Sequence, residues 1–266
     1  MSEGKAQVLS SGGGTQSNCI LVLILAGLLP RPDLIVIADT GRERPVVWKY
    51  MDEIAAPACN AAGLAIHRVH CRDYGYAKDD LFNKKGTLLI PAFSDIVDGG
   101  KGKLPNFCTT YWKIEAVDNW LSREHGIKRS GYVKWIGFSL NEGRRAARMM
   151  SGKEYRSGLI RFPLIHDVPL TREQAVATVE RFGWPKPPRS ACWMCPNQSD
   201  MEWLDLKQNW PVEFGLACDL DEEIRQRDPN AYLHESRQSL REVVFSDELQ
   251  ADVFNPKPCD SGVCFV

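Results

Sequence analysis

No apolar run in the 266-residue sequence is long enough to span a membrane: the longest, Ile20 to Leu29, is about half of the ~20 residues a spanning helix needs. The run also lacks the basic flank and small-residue cleavage site of a secretory signal, so the expectation is a cytoplasmic protein with no membrane partner. Net charge is nearly absent, −1 from 33 basic and 34 acidic residues. That excludes a wholesale basic coat for nucleic acid, though not a local basic patch. There is no internal repeat and no low-complexity tract, and none of the five histidines stands at zinc-ligand spacing. A composition of 44% hydrophobic and 25% charged residues excludes disorder, collagen and coiled coil. What the chain has in number is cysteine, nine in all. In a reducing compartment these are buried thiols, metal or cluster ligands, or catalytic sulfur.

The first two-thirds alternates strand and helix signals. A strand near Gln7–Leu9 precedes a glycine-rich stretch, and a helix carrying Ile20 to Leu29 ends at Pro30. Leu34 to Ala38 is a continuous β-branched apolar run, as in a strand covered on both faces. A helix over Pro45–Ala62, a strand over Ala65–His70, a helix over Thr109–Glu124 and a strand over Val133–Phe138 come next. The alternation predicts an α/β fold, a mainly parallel, doubly wound sheet with ligands beyond the carboxyl ends of its strands. A helix from Thr171 to Phe182 has Thr171 and Gln174 at capping-box spacing. A mostly helical, acidic region then runs to about Leu249. The expected division is a core over 1–165, a helical Cys-x-x-Cys region over 166–250 and a cysteine-containing tail over 251–266.

Ser10-Ser11-Gly12-Gly13-Gly14-Thr15-Gln16-Ser17 joins the first strand to the first helix. Glycines let successive N–H groups turn inward, and the helix start adds partial positive charge, so the turn suits an anion. The spacing is neither a dinucleotide fingerprint nor a lysine-bearing Walker loop. It resembles the Ser-Gly-Gly-x-x-Ser loop of the ATP pyrophosphatases, which cleave ATP between its α- and β-phosphates. The resemblance implies ATP with Mg²⁺, held by Ser10 through Ser17. Many such loops carry Asp where Gln16 stands, so Asp39 is the candidate carboxylate for the metal. Asp39-Thr40-Gly41 after the second strand is similar to the Asp-Thr-Gly stretch of sulfonucleotide reductases, and it also suits a plain helix cap.

Cys192-Trp193-Met194-Cys195 sets two thiols one turn apart, the spacing of a metal chelate, a cluster edge or a redox dithiol. Cys108 through Glu115, including Lys113, resembles the Cys-Cys-x-x-Arg-Lys-x-Glu-Pro stretch of adenylyl-sulfate reductases, and 83 residues separate Cys108 from Cys192. Between them, Ile136 to Arg145 resembles that family's substrate-binding Gly-x-Arg region, which puts Gly137, Arg144 and Arg145 at the nucleotide. Over residues 5 to 200 the chain thus resembles the phosphoadenylyl-sulfate reductase and ATP pyrophosphatase superfamily, with its adenine nucleotide alpha hydrolase-like fold. The resemblance implies a [4Fe–4S] cluster on Cys108, Cys192 and Cys195, zinc being the alternative. Thr109 replaces the family's second adjacent cysteine, so a fourth ligand must come from Cys218, Cys259 or Cys264, or be absent as in tRNA-thiolating enzymes. Cys19 and Cys59, inside apolar helices, read as inert core thiols.

Charge is uneven: Asn141 to Arg161 carries net +4, and Asp219 to Asp252 net −6. The basic stretch suits a triphosphate or a nucleic-acid backbone, against the plainer reading of a solvated helix face. The function this favours is an ATP pyrophosphatase that adenylates an acceptor and supports iron–sulfur-dependent sulfur transfer. The acceptor is a nucleic acid, as in tRNA thiolation or DNA phosphorothioation. Ser17, Asp39, Lys113, Arg144 and Cys264 are the candidate catalytic residues, and Cys259 the candidate fourth ligand. A cysteine desulfurase or thioredoxin-like donor is the expected protein partner, with homodimerisation a further expectation. Two alternatives stand beside it: a sulfonucleotide reductase using Cys259 or Cys264 as nucleophile, and a non-catalytic nucleotide-binding subunit with structural zinc.

Overall fold

A computed structural model describes residues 4–75, 81–83, 85–95 and 102–245. The elements begin with β1 (Ala6–Ser11), α1 (Thr15–Leu25), β2 (Leu34–Asp39), α2 (Pro45–Tyr50), α3 (Ala56–Ala61), β3 (Ile66–His70) and α4 (Cys71–Tyr74). Next come β4 (Phe93–Ser94), β5 (Gly102–Lys103), α5 (Glu115–His125), β6 (Tyr132–Ile136), α6 (Gly143–Met150), α7 (Lys153–Arg156) and β7 (Ile160–Arg161). The last are α8 (Arg172–Arg181), α9 (Asp200–Asn209), α10 (Pro211–Arg227) and β8 (Ala231–Tyr232).

Two compact units divide these elements. Described residues up to 75 and 109–190 form the first, and 81–108 with 191–245 the second. The boundary expected near residue 165 therefore falls inside the first unit, and the second is assembled from two distant stretches of chain.

The first unit is an α/β fold on a five-stranded sheet of order β3-β2-β1-β6-β7, parallel throughout. Alternation along the strands assigns the faces. Leu9 pairs with Ile35 on one side and Trp135 on the other, and all three join one core with α1, the α2–α3 helix and α8. Val8, Val36 and Lys134 point the opposite way, where α5 packs on β2 and β3. Order reverses between β1 and β6. At such a switch point the loops leaving the two strands diverge and open a crevice for ligand.

Local chemistry explains where the elements stop. α1 is buried along nearly its whole length, as its run from Cys19 to Leu25, apolar on every side, requires. It ends at Leu25, short of the expected Leu29, because Gly27 turns left-handed (φ +72) and Leu28 N–H returns to Leu23 O at 2.8 Å. The helix expected over Pro45–Ala62 opens into a π turn at Met51–Ala55. Pro57 has no N–H to give the carbonyl four residues back, and Ala56 N–H reaches five back to Met51 O. Thr171 and Gln174 form the expected capping box on α8.

The second unit holds α9, α10 and a small antiparallel sheet of order β5-β4-β8. Helix ends at Arg227, well before the expected Leu249. Asp221 ties down the chain beyond it: this fully buried carboxylate accepts Leu233 N–H at 2.9 Å, Leu240 N–H at 3.0 Å and Arg225 Nε at 3.2 Å. No helix among the described residues is long and apolar enough to cross a membrane.

Candidate nucleotide site and cysteine turn

The loop Ser10–Ser17 lies where β1 meets its reversal partner β6. Gly13 adopts φ +70, and its N–H donates to Ser11 Oγ at 3.1 Å, while Gly12 N–H donates to Ser17 Oγ at 2.9 Å. Asn18, fully buried, donates its amide to Gly13 O and Gly14 O, both at 2.9 Å. The loop is thus held from behind by its own side chains. No side chain caps α1 at Gly14, so the first-turn N–H groups face the crevice uncapped. The hydroxyls of Ser11 and Ser17 only accept in these bonds and keep their protons to donate. The arrangement can hold an anion of phosphate size and charge.

Ser190 closes the loop from a distance the sequence could not show. A Cβ on Gly14 would meet Ser190 Cβ and N at 3.0 Å, so only glycine lets that strand of chain approach. Ser190 in turn donates to buried Glu43 at 2.9 Å.

Gln16, the departure from the Asp of the loops this one resembles, has a local reason. Its amide donates to Glu142 Oε2 at 2.9 Å, across the crevice at the end of β6. An Asp there would set carboxylate against carboxylate. Glu142 also caps its own turn through Ser139 and is ion-paired to Arg145. Arg145 is buried, its guanidinium 4.6 Å from the Phe138 ring centre, and burial lowers its pKa from the usual value. Arg144 is exposed. Gly137 packs on α1, where an added Cβ would stand 3.3 Å from Gln16 Cβ.

Asp39 is buried at the end of β2 with both oxygens in use: Oδ1 accepts Gly41 N–H at 2.7 Å and Oδ2 pairs with Arg68 at 2.7 Å. Asp39 thus caps its loop and holds Arg68, and a Mg²⁺ ion bound there would share the carboxylate with that guanidinium. Arg68 itself lies 3.5 Å over Trp48. Thr40 is fully buried and accepts Arg42 N–H at 3.3 Å. Lys113 stands half-buried in the π turn Thr109–Ile114 that leads into α5.

Cys108, Cys192 and Cys195 all belong to the second unit and are half-buried. Cys195 N–H returns to Cys192 O at 3.0 Å, which makes the Cys-x-x-Cys a tight turn. Gln198 holds that turn, donating to Trp193 O at 3.0 Å and Cys195 O at 3.2 Å. Cys108 Sγ donates to Asn106 Oδ1 at 2.8 Å. The donor chemistry of the three thiols suits a thiophilic metal or cluster; among the described residues no three His, Cys, Asp or Glu side chains gather closely enough to hold a single metal ion. Cys218 lies buried in α10, its thiol pushed up to about 11 chiefly by burial. Burial likewise raises Cys19 to about 12 and Cys59 to about 11, as expected of inert core thiols. Cys259 and Cys264 lie outside the described residues.

No protein-family model matches the chain, and no curated protein matches its sequence. Among solved structures, it is similar to the U34-tRNA thiolase NcsA from Methanococcus maripaludis with its [4Fe-4S] cluster. The match has a TM-score of 0.44 and 15% identity over 97% of this chain and 80% of that one.

Proposed function

We propose that the chain is an ATP pyrophosphatase acting through the Ser10–Ser17 loop. The observation that carries this is the uncapped start of α1 at the sheet's switch point, fronted by a left-handed glycine and by two serine hydroxyls with protons to give. The triphosphate lies along the loop. N–H groups of the first turn and the Ser11 and Ser17 hydroxyls bind its non-bridging oxygens and stabilise the charge that grows as the bond breaks. An acceptor oxygen attacks the α-phosphorus; the bond to the bridging oxygen breaks, and pyrophosphate leaves with that electron pair. Adenylation turns the acceptor oxygen into a leaving group for sulfur.

The acceptor class is a nucleic acid, with sulfur delivered by the cysteines of the second unit. That much rests on the sequence resemblance, with Cys108, Cys192 and Cys195 in one compact unit in support. Cys108, Cys192 and Cys195 would hold the [4Fe–4S] cluster that the resemblance implies, and the chemistry proposed for the loop is independent of it.

The test is pyrophosphate and AMP release from ATP with Mg²⁺ in the presence of tRNA or DNA. Ser17→Ala should reduce it at least tenfold, since one loop hydroxyl and the anchor of Gly12 are lost together. Turnover unchanged in Ser17→Ala, or release of orthophosphate in place of pyrophosphate, would refute the assignment.

A further inference from the structure

Within the second unit lies a cavity of about 630 Å³ that touches neither the nucleotide loop nor the cysteine turn. Its volume is in the range of small-ligand sites. Phe82, Leu88 and Phe107 supply apolar wall; Arg227, Asp228 and Asn83 supply polar groups. The cavity is built in advance by a tight hairpin. Asn83 N–H bonds Thr87 O at 3.0 Å, Gly86 N–H bonds Asn83 O at 2.9 Å, and Asn83 Oδ1 accepts the N–H groups of Lys85 and Thr87 at 2.9 and 3.0 Å.

These groups match a flat aromatic heterocycle. Arg227 lies over the Phe82 ring, 4.6 Å from its centre, and Phe107 adds a second aromatic wall. Rings and guanidinium planes are the surfaces on which unpaired bases stack. The edge of a base needs both a donor and an acceptor. Asp228, as a carboxylate, only accepts, and suits an exocyclic amino group; Asn83, its oxygen engaged by backbone, offers its NH₂ to a ring nitrogen or carbonyl. Exposed Lys85 sits in the turn between lining residues Asn83 and Gly86, where a phosphate beside the base would meet it. The rim, at Gly86, Thr87 and Pro105, is exposed, so a chain can leave on either side.

We propose that this cavity binds one unstacked base of a single-stranded nucleic acid. The strand as its source rests on the acceptor class proposed above; the base chemistry does not.

The experiment uses the full chain without ATP and follows fluorescence anisotropy of labelled 12-nucleotide single-stranded RNA. The comparison ligands are an abasic strand of the same length and free nucleosides as competitors. Phe82→Ala should weaken strand binding by about 5- to 150-fold, the range for losing one base–aromatic stack. The abasic strand should bind as weakly to the unaltered chain, and Lys85→Gln should reduce the salt slope by about 0.7. Because Phe82 also packs its hairpin, Thr87→Trp provides an independent arm: a ring added at the exposed rim should fill the cavity and weaken binding with circular dichroism unchanged. Equal binding of abasic and base-bearing strands, or full binding by Thr87→Trp, overturns the site. Phe82-dependent binding of nucleosides with no binding of the strand overturns the strand as source. Base-dependent binding with no pyrophosphate release leaves this site standing and removes the pyrophosphatase.

Discussion

Gly13 is the position where a single methyl group tests the loop most directly. Its φ of +70 costs an alanine about 1–2 kcal/mol, and its space is already taken. A Cβ there would stand 2.8 Å from Val47 Cγ1 and 3.1 Å from Ile37 Cδ1, both on packed elements of the core. Overpacking of that kind costs about 1–3 kcal/mol more. The backbone cannot rotate away, because Asn18 holds the Gly13 and Gly14 carbonyls and Ser11 holds the Gly13 N–H. Gly13→Ala should therefore lose about 2–5 kcal/mol in all. For a unit of this size that is a fall of roughly 4–20 °C in melting temperature by circular dichroism. Gly143→Ala is the matched control. Gly143 has helical angles (φ −54, ψ −37) and nothing within 4 Å of an added Cβ, so it should gain about 0.4–1 kcal/mol. If Gly13→Ala melts with the unaltered chain, the left-handed, crowded loop is wrong and the phosphate site built on it goes too.

Lys134 on β6 is buried, and burial lowers its pKa from the ordinary lysine value, against the raising effect of Asp118 and Glu154. The unfolded chain thus binds the proton more tightly, so stability should rise with pH through the window below about 10.5 and level off above it. Lys134→Met should flatten that rise in urea melts and leave the protein as stable or up to about 4 kcal/mol more so at pH 7; Asp118 keeps the Tyr132 hydroxyl at 2.6 Å. Asp221→Ala should cost about 3–5 kcal/mol, since it removes the carboxylate partner of Arg225 and leaves two buried N–H groups unpaired, and hydrogen exchange should rise at Leu233 and Leu240. Unaltered exchange there would show that the carboxylate is not what holds the segment.

The strands, the loop and the capping box of α8 were legible because each is written in adjacent residues: apolar runs, three successive glycines, Thr171 three before Gln174. What escaped was everything set by partners far along the chain. Asp221 counts in the sequence as one acid among ten in a charged run, yet it is fully buried, because the N–H groups it serves lie 12 and 19 residues on. Ser190 on the loop and Glu142 on Gln16 are equally silent in sequence, being 176 and 126 residues from their contacts. The very short strands β4, β5, β7 and β8, two residues each, carry no periodicity to read.

The second unit draws its parts from 81–108 and from 191 onward, with about half of the first unit made in between. A ribosome adding 5–20 residues per second takes about 4–17 s to cross the 83 residues from Cys108 to Cys192. During that interval Cys108 and the hairpin at 83–86 wait as nascent chain without the helices they fold against. The Cys-x-x-Cys turn joins the earlier stretch of its unit only once Cys195 has been made, in a chain whose nucleotide loop has long since emerged.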